Sequence, residues 1–312
     1  MAHLPVENNE DPLRKMDKAM KSGNPKVTVL MPIYNGETYL KKAIDSILSQ
    51  TFQEFEFLII NDGSADKSIE VIKSYSDPRI RLIENEINLG LIATLNKGID
   101  LARGKYIARM DQDDISLPER FARQIAFMDA HPEVGVCGTW AKIIDDTGRI
   151  VSSRRTPKGK AAHRLCWRPT PFIHPSCMLR SALLKEYHYR SGFPHAEDYD
   201  LWLRLCQKTQ FANIGEYLFL YRIHDTNTYK TRRMEQLASA FAAFTSFIVP
   251  TEIDYEGFLA LIPVVARVNP LRRAFFWLQV SKKTGLRIDE FILDNLIYLK
   301  LWLTRYDEQQ VG

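Results

Sequence analysis

Between residues 27 and 140 short apolar runs alternate repeatedly with stretches whose apolar residues recur every three or four positions. VTVLM at 27–31 is a nearly continuous apolar run, the pattern of a strand covered on both faces. Pro32 is expected to end it. Leu40, Ala43, Ile44, Ile47 and Leu48 then mark one face of a helix. FEFLII at 55–60 predicts a second strand. It leads into NDGSAD, where Asp62 and Ser64 suit the cap of a helix striped by Ile69, Ile72 and Tyr75. The alternation continues with strands over 80–83, 106–110 and 134–140. A helix over 91–102 is expected to end at Gly104, and another over 117–130 carries Pro118 in its first turn. Strands and helices spaced this way predict a mostly parallel sheet with helices on both faces. Ligands of such sheets bind beyond the carboxyl ends of the strands. Asn35, Asp62 and the acidic run 111–114 all fall there.

Past residue 141 the alternation weakens. Arg154, Arg155, Lys158, Lys160, Arg164 and Arg168, with prolines among them, predict an exposed basic loop, either simply solvated or a lid over a diphosphate. A strand over 176–179 and a helix over 199–206 are expected, and from about Met234 onward only helix. The expected division is a polar leader at 1–26, a catalytic domain at 27–229 and a helical extension at 230–312.

Composition sets the class. Hydrophobic residues make up 45% of the 312 and charged residues 26%, enough apolar material to exclude disorder as the main state. A net charge of +4 gives no reason to expect nucleic acid as a partner. The four cysteines form no C-x-x-C pair, which excludes the common zinc and thioredoxin patterns. The first residues lack the apolar core of a signal peptide, and no apolar run reaches the roughly 18 residues of a membrane helix. The expected location is cytoplasmic.

Five segments could carry chemistry. In MDQDD, residues 110–114, three carboxylates crowd the end of a buried strand. They are either a solvated turn with Asp114 capping the next helix, or a site for a hard cation such as Mg²⁺ or Mn²⁺. Asp62 either caps a helix or accepts from a base N–H or a ribose hydroxyl. Tyr34, in PIYN, is a turn residue or a stacking face. Glu197 and Asp198, in HAEDYDLWLRL, sit at a helix start, where the dipole favours ionised carboxylates and one of them could act as general base. His224, in YRIHDTN, could bind a metal or contact a phosphate.

In their order along the chain the segments resemble glycosyltransferase family 2, enzymes of the GT-A fold. The resemblance runs from about Val27 to His224, through VTVLMPIYNGETYLKKAIDSILSQTFQEFEFLIINDGSAD, NLGLIATLNKGIDLARGKYIARMDQDD and HAEDYDLWLRL. It implies an α/β GT-A fold with a C-terminal helical extension. It implies a nucleotide-sugar pocket using Pro32, Tyr34, Asp62, Asn88 and Asn96, with Asp111 on the ribose side. Asp113 is the implied direct ligand of Mn²⁺ or Mg²⁺, and His224 is placed where a late histidine helps hold metal and diphosphate. Glu197 and Asp198 match the family's E-D pair, with Asp198 as the base. The reaction implied is an inverting transfer from a nucleotide diphosphate sugar, expected to be UDP-linked, to a hydroxyl of a saccharide or lipid-linked saccharide, in synthesis of bacterial surface polysaccharide or lipopolysaccharide. Two alternatives stay open: a nucleotidyltransferase that makes a nucleotide sugar, and a catalytically silent scaffold that binds one. The apolar segment 291–303 lies outside the resemblance. It is expected to pack on the catalytic domain, form a homodimer, or dock peripherally on the inner face of the cell membrane.

Overall fold

The computed structural model describes residues 25–166, 171–225, 227 and 231–248. The chain divides into two compact units, the first within Met1–Ser191 and Leu201–Asn227 and the second within Gly192–Asp200 and Thr228–Gly312. The leader and the apolar segment 291–303 lie outside the described residues.

The first unit is built on a nine-stranded sheet. Strands β1 (Val27–Ile33), β2 (Phe55–Asn61), β3 (Ile80–Glu84) and β4 (Tyr106–Arg109) form a parallel half in the order β3-β2-β1-β4. Beyond β4 the sheet is mixed. The short strand β8 (Met178–Arg180) runs antiparallel between β4 and β6 (Val134–Ile144). Strand β9 (Gln210–Arg222) then lies parallel to β6, and β5 (Ile115–Ser116) pairs antiparallel with β9. The parallel ladders carry most of the paired residues, so the expected α/β GT-A architecture forms.

Alternation along β1 explains the layers. Val27, Val29, Met31 and Ile33 face one core, with Leu40, Ile44 and Ile47 of α1 (Glu37–Leu48), Ile72 of α2 (Ser68–Lys73) and Phe121 and Met128 of α4 (Arg120–Ala130). Leu30, Leu58 and Ile60 face the other, with Leu95 and Ile99 of α3 (Leu91–Leu101) and Leu184 of α6 (Ser181–Glu186). Each of these fully buried aliphatics contributes about 1.5–3 kcal/mol relative to exposure. Helix α3 lies so close that a side-chain carbon at Gly98 would run into Leu30, which glycine avoids.

Several boundaries differ from expectation. Pro32 does not end β1; the strand continues through it to Ile33. Strand β4 pairs only as far as Leu30, so Pro32 lies where β1 has β2 on one side alone, and its missing N–H costs no ladder bond. The helix expected at 117–130 starts at Arg120, because Leu117 N–H is donated to Leu218 and the Pro118 carbonyl accepts from Thr51. Helix α3 ends at Ala102 rather than at a glycine cap. The expected basic segment is partly regular: β6 reaches Ile144, β7 (Ile150–Arg154) returns as a hairpin and α5 (Ala161–Arg164) follows, while Arg155, Lys158 and Lys160 are exposed on the loop between β7 and α5 and Arg168 lies outside the described residues.

Helix α7 (Glu197–Leu205) begins in the second unit and ends in the first, where Leu201, Trp202 and Leu205 join the core beside α3. Helix α8 (Arg233–Ile248) belongs to the second unit.

Candidate active site

Three loops meet at the carboxyl ends of β1, β2 and β4, and hydrogen bonds lock them together. Asn35 holds a positive φ of 49°, a conformation asparagine tolerates. Its N–H is donated to Ser64 Oγ at 3.0 Å, and its Oδ1 accepts from Ala65 N at 2.9 Å. Gly36 N donates to Ser68 Oγ at 2.9 Å. Gln112, between the two aspartates of D-x-D, clamps the backbone of Tyr34: Tyr34 N donates to Oε1 at 2.9 Å and Nε2 donates to Tyr34 O at 3.0 Å. Gly36 must lack a side chain here, since a Cβ would come within 2.6 Å of Gln112 Oε1. Tyr34 itself is 48% exposed, a free ring face at the sheet's ligand end.

Next to this loop, carboxylate oxygens of Asp111, Asp113 and Asp114 all lie within 4.8 Å of one another. The surroundings hold each in a different way. Arg109, nearly fully buried at the end of β4, bonds Asp111 Oδ1 at 2.5 Å through Nη1. His224 Nε2 lies 2.8 Å from Asp113 Oδ2, and the imidazole packs against the Tyr39 ring at 5.4 Å. Asp114 Oδ1 accepts the backbone N–H of Arg222 at 2.8 Å, while its Oδ2 is buried with no hydrogen-bond partner among the described residues. The Arg222 guanidinium covers Tyr39 at 4.6 Å and donates from Nε to the carbonyl of Asp113 at 2.7 Å. Burial, with the neighbouring carboxylates adding to it, raises the Asp114 carboxyl well above the ordinary range. Burial also raises Asp111, although Arg109 opposes the shift.

This donor set fits a hard divalent cation. An orphaned buried carboxylate oxygen, beside two more carboxylates whose mutual repulsion needs a positive charge, is the chemistry Mg²⁺ and Mn²⁺ accept.

The other residues singled out in the sequence fall as follows. Pro32 is buried in β1. Asp62 is buried at the end of β2 and is occupied by protein donors: Oδ1 accepts from Asn85 Nδ2 at 2.7 Å and Leu89 N at 2.9 Å, and Oδ2 from Gly90 N at 2.9 Å. It thus ties down the start of α3 rather than that of α2. Asn88 Oδ1 also accepts from Gly90 N. Asn96 exchanges two bonds with the backbone of Tyr189, at 2.9 and 3.0 Å. Glu197 and Asp198 open α7 within the second unit, with Glu197 buried. In that unit His195, at φ 63°, receives Gln236 Nε2 on its carbonyl and has Nε2 3.3 Å from Glu235 Oε2. The first unit therefore brings Tyr34, Asp111, Asp113 and His224 together. Gln112, Arg109, Tyr39 and Arg222 complete the group without having been foreseen.

The profile described as Glycosyl transferase family 2 matches residues 28–187. A putative glycosyltransferase of Bacillus subtilis, EpsE, is 38% identical over 271 residues, covering 82% of this chain and 91% of its own. The O-antigen biosynthesis glycosyltransferase WbnJ of Escherichia coli is 33% identical over 212 residues, covering 66% and 82% respectively. Among solved structures, S. aureus TarS 1-349 in complex with UDP-GlcNAc has a TM-score of 0.62 at 18% identity, over 82% of this chain and 80% of that one. The mannosyltransferase PcManGT from Pyrobaculum calidifontis, in complex with GDP-Man and Mn²⁺, has a TM-score of 0.55 at 16% identity, over 96% and 91%. These two establish the likeness of fold. With the profile spanning more than half of the chain, and the acidic cluster at the carboxyl ends of its strands, the protein belongs to glycosyl transferase family 2.

Proposed function

We propose that the protein transfers a sugar, with inversion, from a UDP-linked donor to a hydroxyl of a saccharide or lipid-linked saccharide in the assembly of a bacterial surface polysaccharide. The observation that carries this reading is the cluster of Asp111, Asp113 and Asp114 with His224 against Asp113, at the ligand end of the sheet. Relatives named for O-antigen and amylovoran biosynthesis support the class of product. The TarS complex supports UDP, and the PcManGT complex makes GDP the donor to test beside it.

Asp111, Asp113 and Asp114 would hold the cation, with His224 orienting Asp113. A bound divalent ion supplies positive charge where the leaving diphosphate develops negative charge. Tyr34, its backbone fixed by Gln112, offers its ring to the base. Asp62 and Asn88 support the donor side through the backbone they hold at the start of α3, whereas Asn96 ties α3 to Tyr189. Glu197 helps set the α7 start from which Asp198 acts. Asp198 accepts the proton of the acceptor hydroxyl as that oxygen bonds the anomeric carbon and the bond to diphosphate breaks. General base catalysis of this kind contributes about 10²–10⁴-fold.

The test is product formation with UDP, GDP and dTDP sugars in the presence of Mn²⁺, preceded by a thermal-shift screen of the same donors. UDP-sugars are expected to stabilise the protein most. Asp198→Asn is expected to retain donor binding and lose transfer by at least about a hundredfold. Undiminished turnover in that variant removes Asp198 from the role. Donor binding with no transfer in the parent chain would point to a silent scaffold.

A further inference from the structure

We propose that the β6–β7 hairpin is a docking surface for an anionic lipid bilayer. The inference goes beyond sugar transfer and rests on the hairpin alone. Among the described residues strand β7 pairs only with β6, and it is exposed along almost its whole length. Directly after the turn it carries Ile150 and Val151, 57% and 48% exposed. An edge strand with a bare aliphatic pair invites association unless something covers it.

The charges around that pair indicate what does. Lys142, Arg154, Arg155, Lys158 and Lys160 lie on or just past the hairpin. Among the described residues none of the five has a carboxylate within ion-pair distance, whereas Lys26, Lys105 and Arg123 elsewhere are paired. The acids of the turn are engaged locally: Asp145 pairs with Arg149 at 3.1 Å, and both Asp145 and Asp146 accept from Thr147 N. Two of the cations are held by aromatic rings instead of by counter-ions. Lys142 Nζ sits 4.0 Å from the Tyr217 ring centre. The Arg155 guanidinium lies 5.2 Å from the Trp140 ring and donates from Nε to the Tyr217 hydroxyl at 2.7 Å. Such contacts fix a cation in place without neutralising it.

Fixed cations beside an exposed aliphatic pair match both parts of an anionic bilayer surface, its headgroup charge and its apolar boundary. An anionic saccharide would account for the cations but leave Ile150 and Val151 unexplained. The hairpin is also rigidly joined to the acidic loop. Arg222 donates to the carbonyls of Asp145 at 2.8 Å and Asp146 at 3.2 Å, as well as to that of Asp113. Docking the hairpin therefore keeps the acidic cluster close to the bilayer, where a lipid-linked acceptor resides.

The experiment is flotation of the full chain with phosphatidylcholine vesicles, with and without phosphatidylglycerol. The parent is expected to float only with phosphatidylglycerol and to be released by high salt. Lys142→Gln/Arg155→Gln, the two cations on one face of the hairpin, is expected to weaken partitioning at least about tenfold, given roughly 1 kcal/mol per basic residue near such a surface. Ile150→Ser/Val151→Ser weakens it independently of salt. Melting temperatures close to the parent's establish that both variants are folded. The proposal is overturned if the parent ignores phosphatidylglycerol vesicles, or if both folded variants float like the parent. Retention of the parent on a polyanionic glycan without vesicle binding also overturns it and assigns the surface to an anionic saccharide.

Discussion

Gln112 shows how much a single side chain can do at this site. It is the unspecified middle residue of D-x-D, yet two hydrogen bonds make it the support of Tyr34. Each exposed bond of this kind contributes about 0.5–1.5 kcal/mol. Gln112→Ala is therefore expected to raise donor KM several-fold with a smaller change in kcat, measured by steady-state kinetics. A fall in kcat at constant KM would mean that Tyr34 does not depend on this clamp. The acidic residues beside it titrate in a defined direction. Burial raises Asp111 and Asp114, so their folded carboxyls hold protons at a pH where unfolded ones have lost them. Without a cation, their contribution to stability falls as pH rises from the ordinary carboxylate range through the raised one. A cation needs the ionised forms. Its gain in melting temperature should therefore grow with pH across that window and level off above it, as thermal unfolding with and without Mn²⁺ will record. A gain independent of pH contradicts the placement of the cation among these two residues.

At the scale of elements, Asn96 discriminates between two roles for α3. Its paired bonds to Tyr189 make it a tie between α3 and the segment after α6. Asn96→Ala is expected to cost about 1–3 kcal/mol in urea unfolding and to leave donor affinity intact. Lost affinity at unchanged stability would place the side chain against the nucleotide instead. The inner strands of the parallel half, β1, β2 and β4, were legible in the sequence because each is buried on both faces, so runs such as VTVLM and FEFLII stand out. The strands missed afterwards lack that signal. Residues of β7 are exposed on both faces, so no alternation marks it. Strand β9 changes neighbours along its length, and its register slips near Gly215 and Glu216, which breaks the period. The acidic loop was visible as a run of carboxylates, but its buried supports were not. Arg222 is fixed by the carbonyl of Asp145 and by the Tyr39 ring, both distant in sequence, and although Arg109 bonds the adjacent Met110 and Asp111, nothing local marks an arginine as buried.

The first unit places the acidic cluster at one end of a sheet whose opposite faces are closed by two separate cores. Those cores set the loops. Leu58→Ala, in the core shared with α3, is expected to lower stability by about 2–5 kcal/mol, read from chemical denaturation, and to leave kcat per folded molecule unchanged. Among the described residues no helix is long and apolar enough to cross a membrane.

The most direct test of the cation-assisted donor site is calorimetric titration of UDP into the parent chain and into Asp113→Ala, each with and without Mn²⁺. Tight binding that needs Mn²⁺ in the parent and is lost in the variant is the expected result. Equal UDP affinity in both proteins, with or without the ion, would contradict the site.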